Sequence, residues 1–249
     1  MIRFVLCIII ILLLGLFSII DAIFSLFIQD AKRLRIHNFK IVSVVMSIVL
    51  KVSGVKVNVH GIKNYQMVDN EKAIFVISNH RGYFDILSGY VVLNRDCSII
   101  AKSELKNIPI VGYWMNKIEC LFLDRKNLRS GASMVIDAIK LLRTGKSVWV
   151  FPEGTRNKNI DPSQLLEFKS GTFKIPEKAD CYILPMAILN SDQVFEKQLP
   201  KIKAATIHIE FGKAYKISEL DDKLRDNIAE YNMKLMSKLL IDLKSKVRE

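Results

Sequence analysis

Residues 4–20 carry no charge, and 14 of these 17 are Leu, Ile, Val or Phe. As a helix the run is about 25 Å long. Asp21 interrupts it, and residues 22–28 continue apolar. The full stretch would reach about 37 Å, against about 30 Å for a bilayer's hydrocarbon core. An Asp at mid-membrane costs about 3 kcal/mol, and each aliphatic side chain contributes about 0.3–0.6 kcal/mol in favour of insertion. The aliphatic residues therefore outweigh Asp21, and the segment reads as a retained membrane anchor. A cleaved leader fits poorly, because Arg3 is the only basic residue ahead of the run and no small-residue cleavage pattern follows.

Lys32, Arg33, Arg35 and Lys40 follow the anchor. Basic flanks stay on the cytoplasmic side, so the remainder of the chain is expected there. Residues 41–50 form a second apolar run, about 15 Å as a helix and too short to span. It could lie in one leaflet, re-enter, or pack as core. Residues 1–50 thus read as a membrane anchor with interfacial helices, and residues 51–249 as one globular domain.

Lys and Arg total 37 against 25 Asp and Glu, a formal charge of +12. Such a balance suits an anionic partner: a membrane surface, a phosphorylated small molecule or a nucleic acid. The anchor and the lack of any nucleic-acid-binding module argue against the last. The four cysteines (7, 97, 120 and 181) are scattered, with no C-x-x-C, which fits a reducing compartment. The four histidines have no metal-ligand spacing, so no metal is expected.

Short apolar, often β-branched runs recur at 55–59, 73–78, 97–101, 120–123, 147–151, 181–188 and 205–211. Helical periodicity lies between several of them. Residues 130–144 place Met134, Ile136, Ile139, Leu141 and Leu142 at helical spacing, with Gly145 as a stop. Residues 218–247 repeat apolar side chains from Leu220 to Leu243, and Ser218 with Asp221 resembles a capping box. The alternation predicts an α/β fold: a mixed, mostly parallel sheet flanked by helices, with an N-terminal membrane-embedded helical segment. Function in such folds sits in loops beyond the carboxyl ends of strands.

Two of those loops carry chemistry. After 73–78 the chain reads Asn79-His80-Arg81-Gly82-Tyr83-Phe84-Asp85. On a regular helix His80 and Asp85 would point about 140° apart, so they meet only if the chain turns, as Gly82 permits. A carboxylate-oriented imidazole would be a general base suited to neutral pH. The alternative is that Asp85 only caps a helix starting near Ile86. After 147–151 the chain reads Pro152-Glu153-Gly154-Thr155-Arg156, whose hydroxyl and guanidinium suit phosphate oxygens. Alone, it could be a plain polar turn. Lys102 and Arg125 end two further strands, so three strand ends would present a basic rim. Gly145-Lys146-Ser147 is no P-loop, since position 140 is Lys. There is no G-x-S-x-G and no G-x-G-x-x-G.

The order Asn79-His80 with Asp85, Phe122-Leu123-Asp124-Arg125, Phe151 to Arg156, then Leu184-Pro185-Met186 resembles the 1-acyl-glycerol-3-phosphate acyltransferases of the PlsC type. The resemblance covers residues 54–215, with support from 101–105, Pro109, Gly112 and 168–171. It implies transfer of a fatty acyl group from a thioester, acyl-CoA or acyl carrier protein, to the free hydroxyl of a lysophospholipid, usually lysophosphatidate. No further cofactor is implied. Another lysophospholipid or lyso-aminolipid could be the acceptor, and a non-catalytic lipid-binding protein on this scaffold is the remaining alternative. His80 would be the general base and Asp85 its orienting partner. Lys102, Arg125, Glu153, Gly154, Thr155 and Arg156 would hold the acceptor, Arg81 could add a phosphate contact, and Pro185 would belong to the acyl-donor side. The family usually has Ser where this chain has Gly82, which removes a hydroxyl from the loop.

Overall fold

A computed structural model describes residues 1–68 and 72–248. Seven strands form one sheet: β1 (Lys56–His60), β2 (Ile74–Ser78), β3 (Cys97–Lys102), β4 (Leu121–Leu123), β5 (Ser147–Val150), β6 (Tyr182–Leu189) and β7 (Thr206–Phe211). Their spatial order is β1-β7-β6-β2-β5-β3-β4. β2 to β6 run parallel, whereas β7 is antiparallel to β6 and takes β1 as a parallel partner. The sheet is therefore mixed and mostly parallel. All seven strands fall within two residues of the apolar runs that announce them. Every residue of β2 and β5 is buried, the expected result for central parallel strands covered on both faces.

The helices are α1 (Ile2–Ser25), α2 (Ala31–Ser53), α3 (Ile62–Gln66), α4 (Tyr83–Leu93), α5 (Val111–Lys117), α6 (Leu128–Arg143), α7 (Lys174–Ala179), α8 (Asp222–Asp226) and α9 (Ile228–Arg248). Alternation along β2 and β5 sends side chains to two cores. Ile74, Val76 and Trp149 pack with Phe39 and Val42 of α2, with Phe84 and Tyr90 of α4, and with Trp114 of α5. Phe75, Ile77, Val148 and Val150 pack with Ile139 of α6, Ile175 of α7, and Met236 and Leu240 of α9.

Two helical expectations change. The run 41–50 is not a separate short piece but the second half of the 23-residue α2, which starts where Asp30 accepts from Arg33 N–H at 2.6 Å. The stretch 218–247 is not one helix. Asp221 caps α8 by accepting from Leu224 N–H at 2.9 Å, and α9 begins only at Ile228. Ser218 forms no box with it, because its hydroxyl turns to Asp180 at 3.4 Å.

Helices α1 and α2 are each long and apolar enough to cross a membrane, by length and composition. They also pack on the rest of the chain. The Phe4 ring stacks on Phe195 at 5.7 Å, and the Trp114 indole N–H donates to Ser18 Oγ at 2.8 Å. Asp21, the interruption in the apolar run, is buried with His37 Nε2 at 2.8 Å and Lys117 Nζ at 3.9 Å. The other side of α1 stays bare: Leu12, Leu13, Leu16, Phe17, Ile19, Ile20, Ile23 and Phe24 are all exposed.

Candidate active site

β2 and β5 are neighbours, so the loops that follow them meet at one end of the sheet. His80 comes two residues after β2, and its ring stacks on Phe151 with centroids 4.0 Å apart. α4 starts at Tyr83 and places Asp85 in its first turn, wholly buried. The turn between them brings His80 Nδ1 to 2.8 Å from Asp85 Oδ2. That same oxygen accepts from the backbone N–H of Arg81 at 2.6 Å and of Gly82 at 2.7 Å. Asp85 thus orients the imidazole, and it is not the N-cap of a helix starting near Ile86: α4 begins at Tyr83, and Asp85, its third residue, accepts from the N–H of the N-cap Gly82. With Nδ1–H donated to a carboxylate, Nε2 carries the lone pair.

Two buried residues hold His80's backbone in place, and a third anchors the residue before it. Glu153 is 2% exposed; its Oε1 accepts from His80 N–H at 3.1 Å and its Oε2 from Leu166 N–H at 2.9 Å. Burial pushes the Glu153 carboxyl up, and the Leu166 and His80 N–H groups pull it back down. Asn157 N–H donates to His80 O at 2.7 Å. Asn79 exchanges two 2.8 Å hydrogen bonds with the backbone of Ile188 in β6. The sequence placed Glu153 among acceptor-binding residues, but the structure commits one of its oxygens to the backbone of His80 and the other to that of Leu166.

The remaining candidates are spread along the sheet edge. Gly154 takes φ +69°, the left-handed region that favours glycine. Thr155 is exposed, and Arg156 lays its guanidinium 3.8 Å above the Tyr83 ring. Lys102 ends β3, two strands from β2, and is paired with Glu104 at 2.7 Å on the surface. Arg125 follows β4, three strands from β2, and is exposed. At about 4.8 Å per strand, the Lys102 and Arg125 backbones sit roughly 10 and 14 Å along the edge from His80. Pro185 lies within β6, buried and in register with Ile77 of β2.

Arg81 is a correction. It does not face the loops as a phosphate ligand. Its Nε and Nη2 grip Asp192 at 2.9 and 2.8 Å, with both side chains buried. A buried guanidinium needs a carboxylate, and the loop after β6 supplies one. Asp192, Glu196 and Asn157 lie in stretches with no sequence motif to mark them. Among the described residues no three His, Cys, Asp or Glu side chains converge where a metal ion could sit.

The acyltransferase family model matches residues 56–189, more than half of the chain and every element that builds this site up to the end of β6. The chain belongs to the acyltransferase family. Similar proteins include the 1-acyl-sn-glycerol-3-phosphate acyltransferase of Borreliella burgdorferi, 28% identical over 183 residues, which make up 74% of this chain and 71% of that one. The probable 1-acyl-sn-glycerol-3-phosphate acyltransferase of Mycoplasma pneumoniae is 32% identical over 183 residues, 72% of this chain and 65% of that one. The chain thus spans about two thirds of these relatives' length. The crystal structure of the 1-acyl-sn-glycerophosphate acyltransferase PlsC from Thermotoga maritima shares this acyltransferase's fold, with TM-score 0.79 over 98% of this chain and 97% of that one, at 20% identity. That likeness includes the N-terminal helices, because it extends over nearly the whole length of both chains.

Proposed function

We propose that this acyltransferase moves a fatty acyl group from a thioester to the free hydroxyl of 1-acyl-glycerol-3-phosphate, giving phosphatidate, with His80 as general base. The observation that carries the reading is the 2.8 Å contact between His80 Nδ1 and a wholly buried Asp85, made by a loop at the carboxyl end of β2. The names of the relatives support the acceptor.

In the proposed step His80 Nε2 takes the hydroxyl proton while the oxygen attacks the thioester carbonyl carbon. The tetrahedral oxyanion collapses, the C–S bond breaks, and the leaving thiolate receives the proton from the imidazolium. Asp85 holds the productive tautomer and stabilises the imidazolium. A thioester is already activated. The base therefore supplies about 10²–10⁴-fold, and alignment of hydroxyl and carbonyl supplies much of the rest. Arg156, held beside the dyad by Tyr83, is the nearest candidate for the acceptor phosphate, with Lys102 and Arg125 farther out. Lys102 is free to exchange Glu104 for a phosphate, since an exposed ion pair of this kind is worth little. The thioester would come from acyl-CoA or acyl carrier protein.

The bare apolar side of α1 is the proposed membrane contact. Because α1 is packed against the domain along its length, we read the hairpin of α1 and α2 as dipping into one leaflet, with the catalytic loops on the cytoplasmic side. Lipid analysis after incubating the full chain in vesicles with lysophosphatidate and each donor tests the function. New phosphatidate is expected from wild type and not from His80→Ala. Absence of acyl transfer by folded wild type, or undiminished turnover by His80→Ala, would overturn the reading.

A further inference from the structure

Position 82 has no side chain, and the fold places a distant carboxylate where one would be. Gly82 is the N-cap of α4, in an extended conformation. An N-cap side chain ordinarily accepts a hydrogen bond from the first turn, and glycine has none to offer. Glu196, in the loop after β6, brings Oε1 to 2.6 Å from Tyr83 N–H. A Cβ built on Gly82 would lie 2.4 Å from Glu196 Oε2, 2.5 Å from its Cδ and 2.7 Å from its Oε1. The Glu196 carboxylate therefore fills the volume that a side chain at 82 would occupy and accepts from Tyr83, the first N–H of the helix, next to those at the second and third positions that an N-cap side chain takes.

We propose that Glu196 is a positioning residue for the His80–Asp85 pair, capping α4 from outside in place of the side chain missing at position 82. Asp85 Oδ2 accepts from the N–H groups of residues 81 and 82 while it holds His80. Glu196 takes the next one, at Tyr83. Two carboxylates therefore fix three consecutive peptide units in the loop that carries the base. The loop bearing Glu196 is itself secured. Asp192 holds the Arg81 side chain and also meets Lys197 at 3.1 Å. Phe195 stacks on Phe4 of α1 and lies 6.3 Å from the Tyr83 ring. Residue 81 is thus held through its side chain and residue 83 through its backbone, both from one loop. Glu196 Oε2 is buried and has no hydrogen-bond partner among the described residues. Burial pushes the Glu196 carboxyl up, opposed by the Tyr83 N–H.

The role rests on the general-base reading of His80, and the experiment separates the two. Glu196→Ala, Glu196→Gln, Gly82→Ser and the double variant Gly82→Ser/Glu196→Ala are measured beside wild type and His80→Ala, with initial rates in lysophosphatidate vesicles and thermal melts of the same preparations. Glu196→Ala is expected to lower kcat about tenfold, the equivalent of one lost cap, while both substrate KM values change less than about twofold. Glu196→Gln should keep most of kcat, because the amide oxygen still accepts from Tyr83. Gly82→Ser alone should lower both kcat and Tm, because its Cβ meets the carboxylate. In the Glu196→Ala background the same serine should raise both, since it fills the vacated space and caps the helix itself.

That reversal of sign in Tm reads the capping arrangement without any turnover. Its absence overturns the proposal, and so does a wild-type kcat in folded Glu196→Ala when His80→Ala is inactive. An active His80→Ala defeats the general-base reading instead. Should Glu196→Ala not fold, the double variant decides: recovery of folding and turnover supports the role, and loss of both overturns it.

Discussion

Asp85 Oδ2 sits 2.8 Å from His80 Nδ1 and accepts from the N–H groups of residues 81 and 82 as well. One oxygen therefore sets the ring's tautomer and the path of the chain that carries the ring. The two tasks respond differently to substitution. Asp85→Asn keeps an oxygen for the three donors but loses the charge that stabilises the imidazolium and turns the buried, unpartnered Oδ1 into an unpaired NH₂ group, so kcat should fall steeply and Tm modestly. Asp85→Ala also removes the anchor of the turn and should lower stability by about 1 kcal/mol or more. His80→Ala should reduce kcat by about 10²–10⁴-fold with the fold intact. Rates and thermal melts on the same preparations separate these effects.

Glu153 makes a different prediction from that of a substrate ligand. Its two oxygens each receive a backbone N–H. In Glu153→Gln one of them becomes an NH₂ group facing a donor. Leaving a buried donor unpaired costs about 1–3 kcal/mol. The variant should therefore melt lower and turn over more slowly, while acceptor KM stays near wild type. A rise in acceptor KM with unchanged Tm would return Glu153 to the acceptor site.

How much of this was legible in the sequence follows from what each residue answers to. β2 and β5 are covered on both faces, so continuous apolar runs mark them, and the His80 and Glu153 loops could be placed at strand ends. The pairing of β2 with β5, which brings those loops together, is a matter of topology that no local pattern reports. Arg81 and Asp192 are 111 positions apart in the chain, and a lone Arg beside His80 reads as easily toward a phosphate as toward a buried partner. Glu196 is likewise one charged residue in an unremarked loop. Gly82 was the visible half of that pair, a departure whose complement only the folded chain supplies. The run 41–50 looked short because Lys40 and the basic residues before it hid the helical continuity of α2.

Arg81 and Arg156 should behave oppositely. Arg81→Lys cannot reproduce the two-pronged grip on Asp192 and leaves a buried carboxylate poorly paired, so Tm should drop. Breaking such a pair outright, as in Arg81→Ala, costs about 3–5 kcal/mol. Arg156→Ala should leave Tm nearly unchanged and raise acceptor KM. Lys102→Ala and Arg125→Ala should do so less, in the order of their distance along the sheet edge. Acceptor KM unchanged in all three of the latter would remove the phosphate assignment.

The pair formed by His60 and His208 sets a pH dependence away from the active site. His60 Nε2 lies 3.4 Å from His208 Nδ1 across the β1–β7 pairing. Burial, with the neighbouring imidazole adding to it, holds His208 below the ordinary histidine value of 6.5. The unfolded chain then binds the proton more readily than the folded one. The resulting stability is present above pH 6.5 and is lost as pH falls through the lowered folded value. Melts between pH 7.5 and 5.5 should show Tm falling, and His208→Asn should flatten that part of the curve. An identical slope in the variant would assign the loss to other groups.

Membrane engagement and sidedness are read from one labelling experiment. All four native cysteines are buried, so a membrane-impermeant thiol reagent should leave the native chain unmarked. A single added cysteine at Lys158, exposed in the loop after β5, reports on the catalytic side. It should stay unlabelled in intact cells and react once they are opened. Labelling of intact cells would put the site out of reach of cytoplasmic acyl donors. Cysteines placed at Leu16 or Ile20, on the bare side of α1, should react slowly in vesicles and quickly in detergent-free protein stripped of lipid. Charging that side, as in Leu16→Lys with Ile20→Lys, sets about 3 kcal/mol per residue against insertion. Loss of vesicle binding is then expected, while the Asp21–His37 contact on the other side of the helix keeps the hairpin folded. Retained binding in the doubly charged variant would move the membrane contact from α1 to the basic surface of the domain.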